Sequence, residues 1–376
     1  MLVRSWEVSA LSVPLLEPFV IASGVVTTTR NALVRVTLED ASGQIAVGLG
    51  EAATLVPVTR EDQPDVIATL TRIGDALRGT GAGGGALRGD GTLEIAPGFE
   101  ALTAALDEVA AEAPVARAGA ETALLDAIAR LAGMPLRVLL GGAIGARTTR
   151  MTTDITIPIR DVERMAWLAR EHRRRGFTCF KVKVGRDVAH DLAAIAAIAA
   201  AVPDARFRLD ANAGFSAEQA RALMDALALR RVAVECFEQP CQTDDLGGMA
   251  EVTAAIEPPV IADESVKDLA DLERVTEAQA ADGVNLKLAK SGGILAALAV
   301  GRAAQARGLR VMCGGMVETR VGMTAAAHVV AALGGVDFVD LDTAWLLADD
   351  PFTGGYAATG PDYTLSTEAG LGVSPR

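Results

Sequence analysis

Phe180-Lys-Val-Lys-Val-Gly185 sets two lysines, Lys181 and Lys183, two residues apart in an otherwise apolar run. On a strand they share one face while Val182 and Val184 take the other. An edge strand would show both amines to water, whereas a strand buried on both faces would turn them into a closed interior. In that interior two ammonium groups side by side repel, and with partial burial the repulsion lowers a lysine pKa toward the range where the neutral amine serves as a base. The rest of the chain decides between these readings.

From Pro135 onward, short apolar segments alternate with amphipathic ones. Strands are expected near 152–157, 178–184, 206–210, 232–238, 259–263, 284–288, 309–314 and 336–342, with helices between them, as where Leu269, Leu272 and Val275 share a face. Eight strands alternating with helices fit a (β/α)8-type barrel better than an open sheet. Upstream the texture differs. Residues 5–51 alternate in the manner of an antiparallel meander, with a turn signal at Asp40-Ala-Ser-Gly43, and helical periodicity follows at 60–78 and 101–132. The expected organisation is an α+β capping domain over 1–125, joined by the tail 350–376, and a modified TIM barrel over 126–349. Gly79-Thr-Gly-Ala-Gly-Gly-Gly85 reads as a flexible connection, since it lacks the strand-to-helix setting of a phosphate loop.

Composition narrows the function. The 376 residues carry a net charge of −13 and no long basic run, which argues against a nucleic-acid partner. The longest apolar runs, such as 192–202, are too short to span a bilayer, and the alternating N-terminus lacks a signal-peptide core, so the expected location is cytoplasmic. Cys179, Cys236, Cys241 and Cys313 show no paired zinc spacing and read as buried thiols. With only His172, His190 and His328 available, a catalytic base must be sought elsewhere.

Barrel enzymes place their chemistry at the C-terminal ends of the strands. After Lys183 those ends carry Asp210 in Leu-Asp-Ala-Asn, Glu238 in Phe-Glu-Gln-Pro, Asp263 in Ala-Asp-Glu-Ser and Lys287 in Asn-Leu-Lys-Leu. The separations are 27, 28, 25 and 24 residues, each about one βα unit, so each falls on its own successive strand and faces a shared mouth. Taken singly, each acid could cap the following helix or pair with a lysine. Together, three carboxylates without histidine or thiolate make an oxygen-only site that favours a hard cation, Mg2+ foremost. Amines on either side of such a cation suit removal of the proton next to a carboxylate, with Lys183 and Lys287 as bases on opposite faces and an ene-diolate between them. Lys181 is the electrostatic neighbour of Lys183.

On the lysine pair, the Asp210/Glu238/Asp263 triad and Lys287-Leu-Ala-Lys-Ser-Gly-Gly293, the chain resembles the enolase superfamily, muconate-lactonising-enzyme subgroup, over nearly its whole length. That superfamily uses a lysine or histidine base with Mg2+. The resemblance implies one Mg2+ per site, specificity set by the eighth strand and the capping loops, and a homo-oligomer.

Strand 8 then selects the reaction. Phe338-Val-Asp-Leu-Asp-Thr343 places Asp340 and Asp342 on one face, where they would repel unless a cation lies between them. The cation could be a second metal or a substrate ammonium; the ammonium is the reading adopted. A dipeptide supplies both a carboxylate and, several atoms away, an amine. This Asp-x-Asp is similar to that of the dipeptide epimerases, and Thr156 matches a substrate-contacting threonine there. Epimerases of the alanine–glutamate type carry an arginine in the capping loop where this chain has Gly24, so the expected second residue is small or apolar. Met316 and Val317 are candidate pocket residues, with Val25, Val26 and Leu55 beside them, and Asn212, Glu264 and Glu318 are candidate supports for the lysines and the metal. Muconate cycloisomerisation, N-succinylamino-acid racemisation, succinylbenzoate synthesis and a non-catalytic binding homologue are the competing readings.

Overall fold

The computed structural model describes residues 1–22, 24–78, 99–142 and 149–376, so the Gly79–Gly85 connection lies outside the described residues. Five strands open the chain: β1 (Leu2–Leu11), β2 (Pro14–Ile21), β3 (Gly24–Thr28), β4 (Asn31–Glu39) and β5 (Ile45–Ala52). β1, β4 and β5 form one antiparallel sheet, while β2 and β3 make a separate hairpin. Helices α1 (Gln63–Leu77), α2 (Glu100–Ala110), α3 (Pro114–Leu131) and α4 (Leu136–Leu139) follow. The alternation in β4 buries Ala32, Val34, Val36 and Leu38 completely. β5 carries glycine at 48 and 50 because α3 lies directly on it: a Cβ at either position would sit 2.0 Å from a carbonyl oxygen of that helix.

A short strand, β6 (Arg150–Thr152), precedes the eight parallel strands β7 (Ile155–Ile157), β8 (Cys179–Lys183), β9 (Arg206–Asp210), β10 (Val234–Glu238), β11 (Val260–Ala262), β12 (Gly283–Leu286), β13 (Arg310–Cys313) and β14 (Phe338–Val339). Each pairs with the next in sequence order. The Asp154 N–H donates to the Val339 carbonyl at 3.2 Å, joining the two ends of the sheet. The returning helices are α5 (Val162–Arg174), α6 (Val188–Ala201), α7 (Ala217–Leu229), α8 (Leu246–Ala255), α9 (Leu269–Glu277), the short α10 (Leu288–Ser291) with α11 (Ile294–Ala306), and α12 (Arg320–Leu333). Most begin at a side-chain cap supplied by Asp161, Asp187, Ser216, Asp245, Asp268 or Thr319. α11 lacks one of its own; the Leu295 N–H is taken at 3.0 Å by Glu121 of α3.

The expected barrel strands all appear, with two differences in detail. The first splits, because residues 150–152 pair with the tail and only 155–157 enter the barrel. The last is just two residues long and runs into a 3-10 turn at Thr343–Trp345 where a full barrel would place an eighth helix. The tail forms β15 (Phe352–Gly354), β16 (Tyr356–Thr359), β17 (Asp362–Leu365) and β18 (Val373–Pro375). Its strand 362–365 pairs with β6 and not with the N-terminal meander. Asp126 ties the two together by accepting the N–H groups of Leu49 and Leu371. α3 runs unbroken across residues 125 and 126. All four cysteines are buried and free, and among the described residues no helix is long and apolar enough to cross a membrane.

Candidate active site

The pleat explains the two lysines. Val182 and Val184 are fully buried, while Lys181 and Lys183 are 2% and 6% exposed and point into the barrel interior. Parallel register sets Lys183 opposite Asp210, and Asp210 opposite Glu238, so three charged side chains stand at one height on adjacent strands. Asp263 and Lys287 follow the last residues of β11 and β12. The predicted lysines and carboxylates therefore come together at one mouth.

The ammonium groups interleave with the acids. Lys181 Nζ lies 2.6 Å from Asp340 Oδ2, 2.7 Å from Glu238 Oε2 and 3.1 Å from Asp210 Oδ2. Lys183 Nζ pairs with the same Asp210 oxygen and donates to Asn212 Oδ1 at 3.2 Å. Lys287 Nζ is 2.6 Å from Asp263 Oδ2 and 3.8 Å from Glu238 Oε1. Burial opposes the charge of Lys181, yet Asp340, Glu238 and Asp210 outweigh it and hold the amine well above the usual lysine value. The same balance, with Asp263 and Glu238, raises Lys287. Lys181, expected as the charge beside Lys183, is thus held firmly protonated by its three carboxylates.

The acids divide. Burial would raise Asp210 and Asp263, but the lysines around them hold both well below the ordinary carboxylate range. Burial and the nearby Asp210 push Glu238 up to about 7. Its Oε2 stands at ion-pair distance from Lys181 yet off the hydrogen-bond direction, so it is a buried acceptor with no hydrogen bond. An all-oxygen donor set with a spare buried carboxylate oxygen fits a hard dication such as Mg2+. Asn212 braces the group by donating to Glu264 Oε1 at 3.1 Å, and burial raises Glu264 to about 7.

A second acidic group adjoins the first: Asp154, Asp340 and Asp342 have carboxylate oxygens within 4.8 Å of one another. Arg208 Nη1 takes Asp154 Oδ2 at 2.8 Å, and Lys181 takes Asp340. Asp342 Oδ2 accepts the Thr156 N–H, while Asp342 Oδ1 is buried with no hydrogen-bond partner. Burial, then Asp340, raises Asp342 to about 7. Asp340 and Asp342 both face the cavity that Lys181, Lys183, Lys287 and Thr156 also line. That pocket can hold a cation beside Asp342.

The apolar lining of the cavity comes from Phe19 and Ile21 of β2, Leu55 and Val58 of the segment after β5, and Met316 of the turn after β13. Gly24 and Val317, expected there, are not among its lining residues, and Val25 is 60% exposed. In the β2–β3 hairpin Val25 pairs with Val20, so the pleat sends Phe19 and Ile21 to the opposite face, a period-2 signal legible only once the partner strand is known. Glu318, expected as a support for the lysines or the metal, accepts the Met316 N–H at 2.9 Å and lies near enough to Lys287 to feel its charge; burial, then Glu51, raises it to about 8. Lys290, inside the Lys287–Gly293 motif but carrying no spacing signal of its own, also joins the site, with its Nζ 2.7 Å from Asp263 Oδ1.

A family model described as enolase C-terminal domain-like matches residues 164–376. An aromatic dipeptide epimerase of Herpetosiphon aurantiacus is 38% identical over 373 residues, covering 99% of this chain and 98% of the relative. The solved substrate-liganded complex of the L-Ala-D/L-Glu epimerase from Bacillus subtilis matches with a TM-score of 0.89 at 32% identity, over 100% of this chain and 99% of that one. A dipeptide epimerase from Enterococcus faecalis V583, complexed with Mg and the dipeptide L-Leu-L-Tyr, matches with a TM-score of 0.87 at 32% identity over the full length of both.

Proposed function

The chain belongs to the enolase superfamily, and from that premise we propose that it is a Mg2+-dependent dipeptide epimerase that inverts the α-carbon of the second residue. The observation that carries this reading is the placement of Asp342 Oδ1, a buried acceptor without a partner, in the same cavity as three lysines. Such a cavity asks for a substrate with a negative end and, several atoms away, a positive one. A dipeptide has both.

Asp210, Glu238 and Asp263 would hold Mg2+, which when bound supplies positive charge to the substrate carboxylate and competes with the lysines for those acids. Lys183 and Lys287 stand on strands separated by three others around the barrel, so one amine reaches each face of the α-carbon. One takes the proton and the other returns it on the far side. Lys181 stays protonated among three carboxylates and contributes charge toward the substrate carboxylate. Asp340 and Asp342 take the substrate amine, with Thr156 orienting Asp342.

The apolar side receives the second side chain. Phe19, Ile21, Leu55, Val58 and Met316 offer it apolar contact, which supports a small or apolar residue. The Herpetosiphon relative, named for aromatic dipeptides, and the Enterococcus complex with L-Leu-L-Tyr point the same way. Incubation of a dipeptide library in deuterated water tests the proposal by mass spectrometry. Uptake of one deuterium with inversion, in dipeptides with an apolar second residue, is expected; turnover of a muconate or an N-succinylamino acid with no dipeptide exchange would overturn it.

A further inference from the structure

The two walls of the apolar pocket come from distant parts of the chain. Leu55 and Val58 lie after β5, Gly315 and Met316 after β13. Both walls are tied to the same pair of buried polar side chains, Asn31 at the start of β4 and Glu51 on β5, which are 0% and 6% exposed. Neither lines the cavity, and the chemistry above uses neither.

Asn31 Oδ1 accepts the Thr54 N–H at 3.1 Å, next to Leu55. Its Nδ2 donates to the Val317 carbonyl at 2.8 Å, next to Met316, and to Glu51 Oε1 at 2.7 Å. Both amide hydrogens are therefore spent, one on each neighbour. Glu51 accepts the Thr319 N–H at 3.0 Å, the Thr319 hydroxyl at 2.6 Å and the Gly322 N–H at 3.1 Å, in the first turn of α12. Four donors converge on one carboxylate. A buried network this fully satisfied has one geometry and transmits a change at any member to the rest.

We propose that Asn31 and Glu51 are positioning residues that set the separation of the Leu55/Val58 and Gly315/Met316 walls, and so fix the size of second residue that the enzyme accepts; this rests on the epimerase reading. The pair acts through the backbone at Thr54, Val317 and Thr319 without touching substrate. Cap and barrel are thereby held in register at the point where specificity is read.

The test compares kcat and KM of the full-length Mg2+-loaded enzyme and Glu51→Gln on L-Ala-L-Ala, L-Ala-L-Leu and L-Ala-L-Phe. Glutamine keeps the shape but turns an N–H toward one of the four donors. The expected result is a change of roughly tenfold or more in relative kcat/KM among the three, carried by KM, as befits a pocket whose walls have moved by part of a methylene. Asn31→Ser, which cuts the link to Val317, should shift the same ratio. A common factor of loss on all three dipeptides, with KM unchanged, would overturn the proposal, as would failure of both variants to fold, since either outcome makes the node a purely structural one. Absence of exchange by the wild-type enzyme on every dipeptide would instead overturn the epimerase reading, and this inference with it.

Discussion

Asp342 is a carboxylate held between two demands. Thr156 fixes one oxygen, the other has no donor, and burial with Asp340 beside it raises its pKa to about 7. A substrate ammonium relieves all of this at once, because it supplies the missing donor and the missing charge. Asp342→Asn should therefore raise KM for dipeptides by about ten- to a hundredfold, the worth of one charge-assisted hydrogen bond. For the des-amino analogue of the same dipeptide, KM should change little; an equal rise for both compounds would remove Asp342 from amine binding. The main residues of this mouth are legible in the sequence because successive strands each contribute one or two polar side chains at a regular spacing. Asp154, Lys290 and Glu51 are not, since each matters through partners on other elements: Arg208 for the first, the side chain and carbonyl of Asp263 for the second, and Thr319, 268 positions away, for the third.

The capping sheet is joined to the barrel through α3, and its fit depends on side chains that are absent. At Gly48 and Gly50 of β5 the backbone of α3 comes so close that a methyl group would overlap a carbonyl oxygen. Gly50→Val should cost about 1–3 kcal/mol or more, seen as a lower urea midpoint, because neither backbone can withdraw without disturbing the other. An unchanged midpoint would show that the sheet can slide off the helix. Element order was readable from the switch between period 2 and period 3.6. The division of 150–157 into two strands was not, because nothing local announces that Thr153 N–H will bond the Pro361 carbonyl and turn the chain out of one sheet and into another. The final strand is shorter than its alternation suggests for a related reason. Its alternation continues to Asp342, but the pairing with β13 ends at Asp340, whose N–H donates to the Cys313 carbonyl at 2.9 Å.

Across the whole molecule, one end of the barrel concentrates lysines and carboxylates that would be costly to bury singly and are tolerable only as a network. Lys181, bound to Asp340, Glu238 and Asp210, joins the amine-binding side to the metal side. Lys183 and Lys287 flank that centre from β8 and from the end of β12. In the proposed reaction these two amines act in turn from opposite faces. The direct test follows α-deuterium exchange and inversion separately in Lys183→Ala and Lys287→Ala, each loaded with Mg2+ and supplied in turn with the L,L and L,D forms of one accepted dipeptide. Neither variant should invert the α-carbon, and each should retain exchange without inversion only on the form whose α-proton faces its remaining lysine. Inversion by either variant at the wild-type rate would contradict the two-base account.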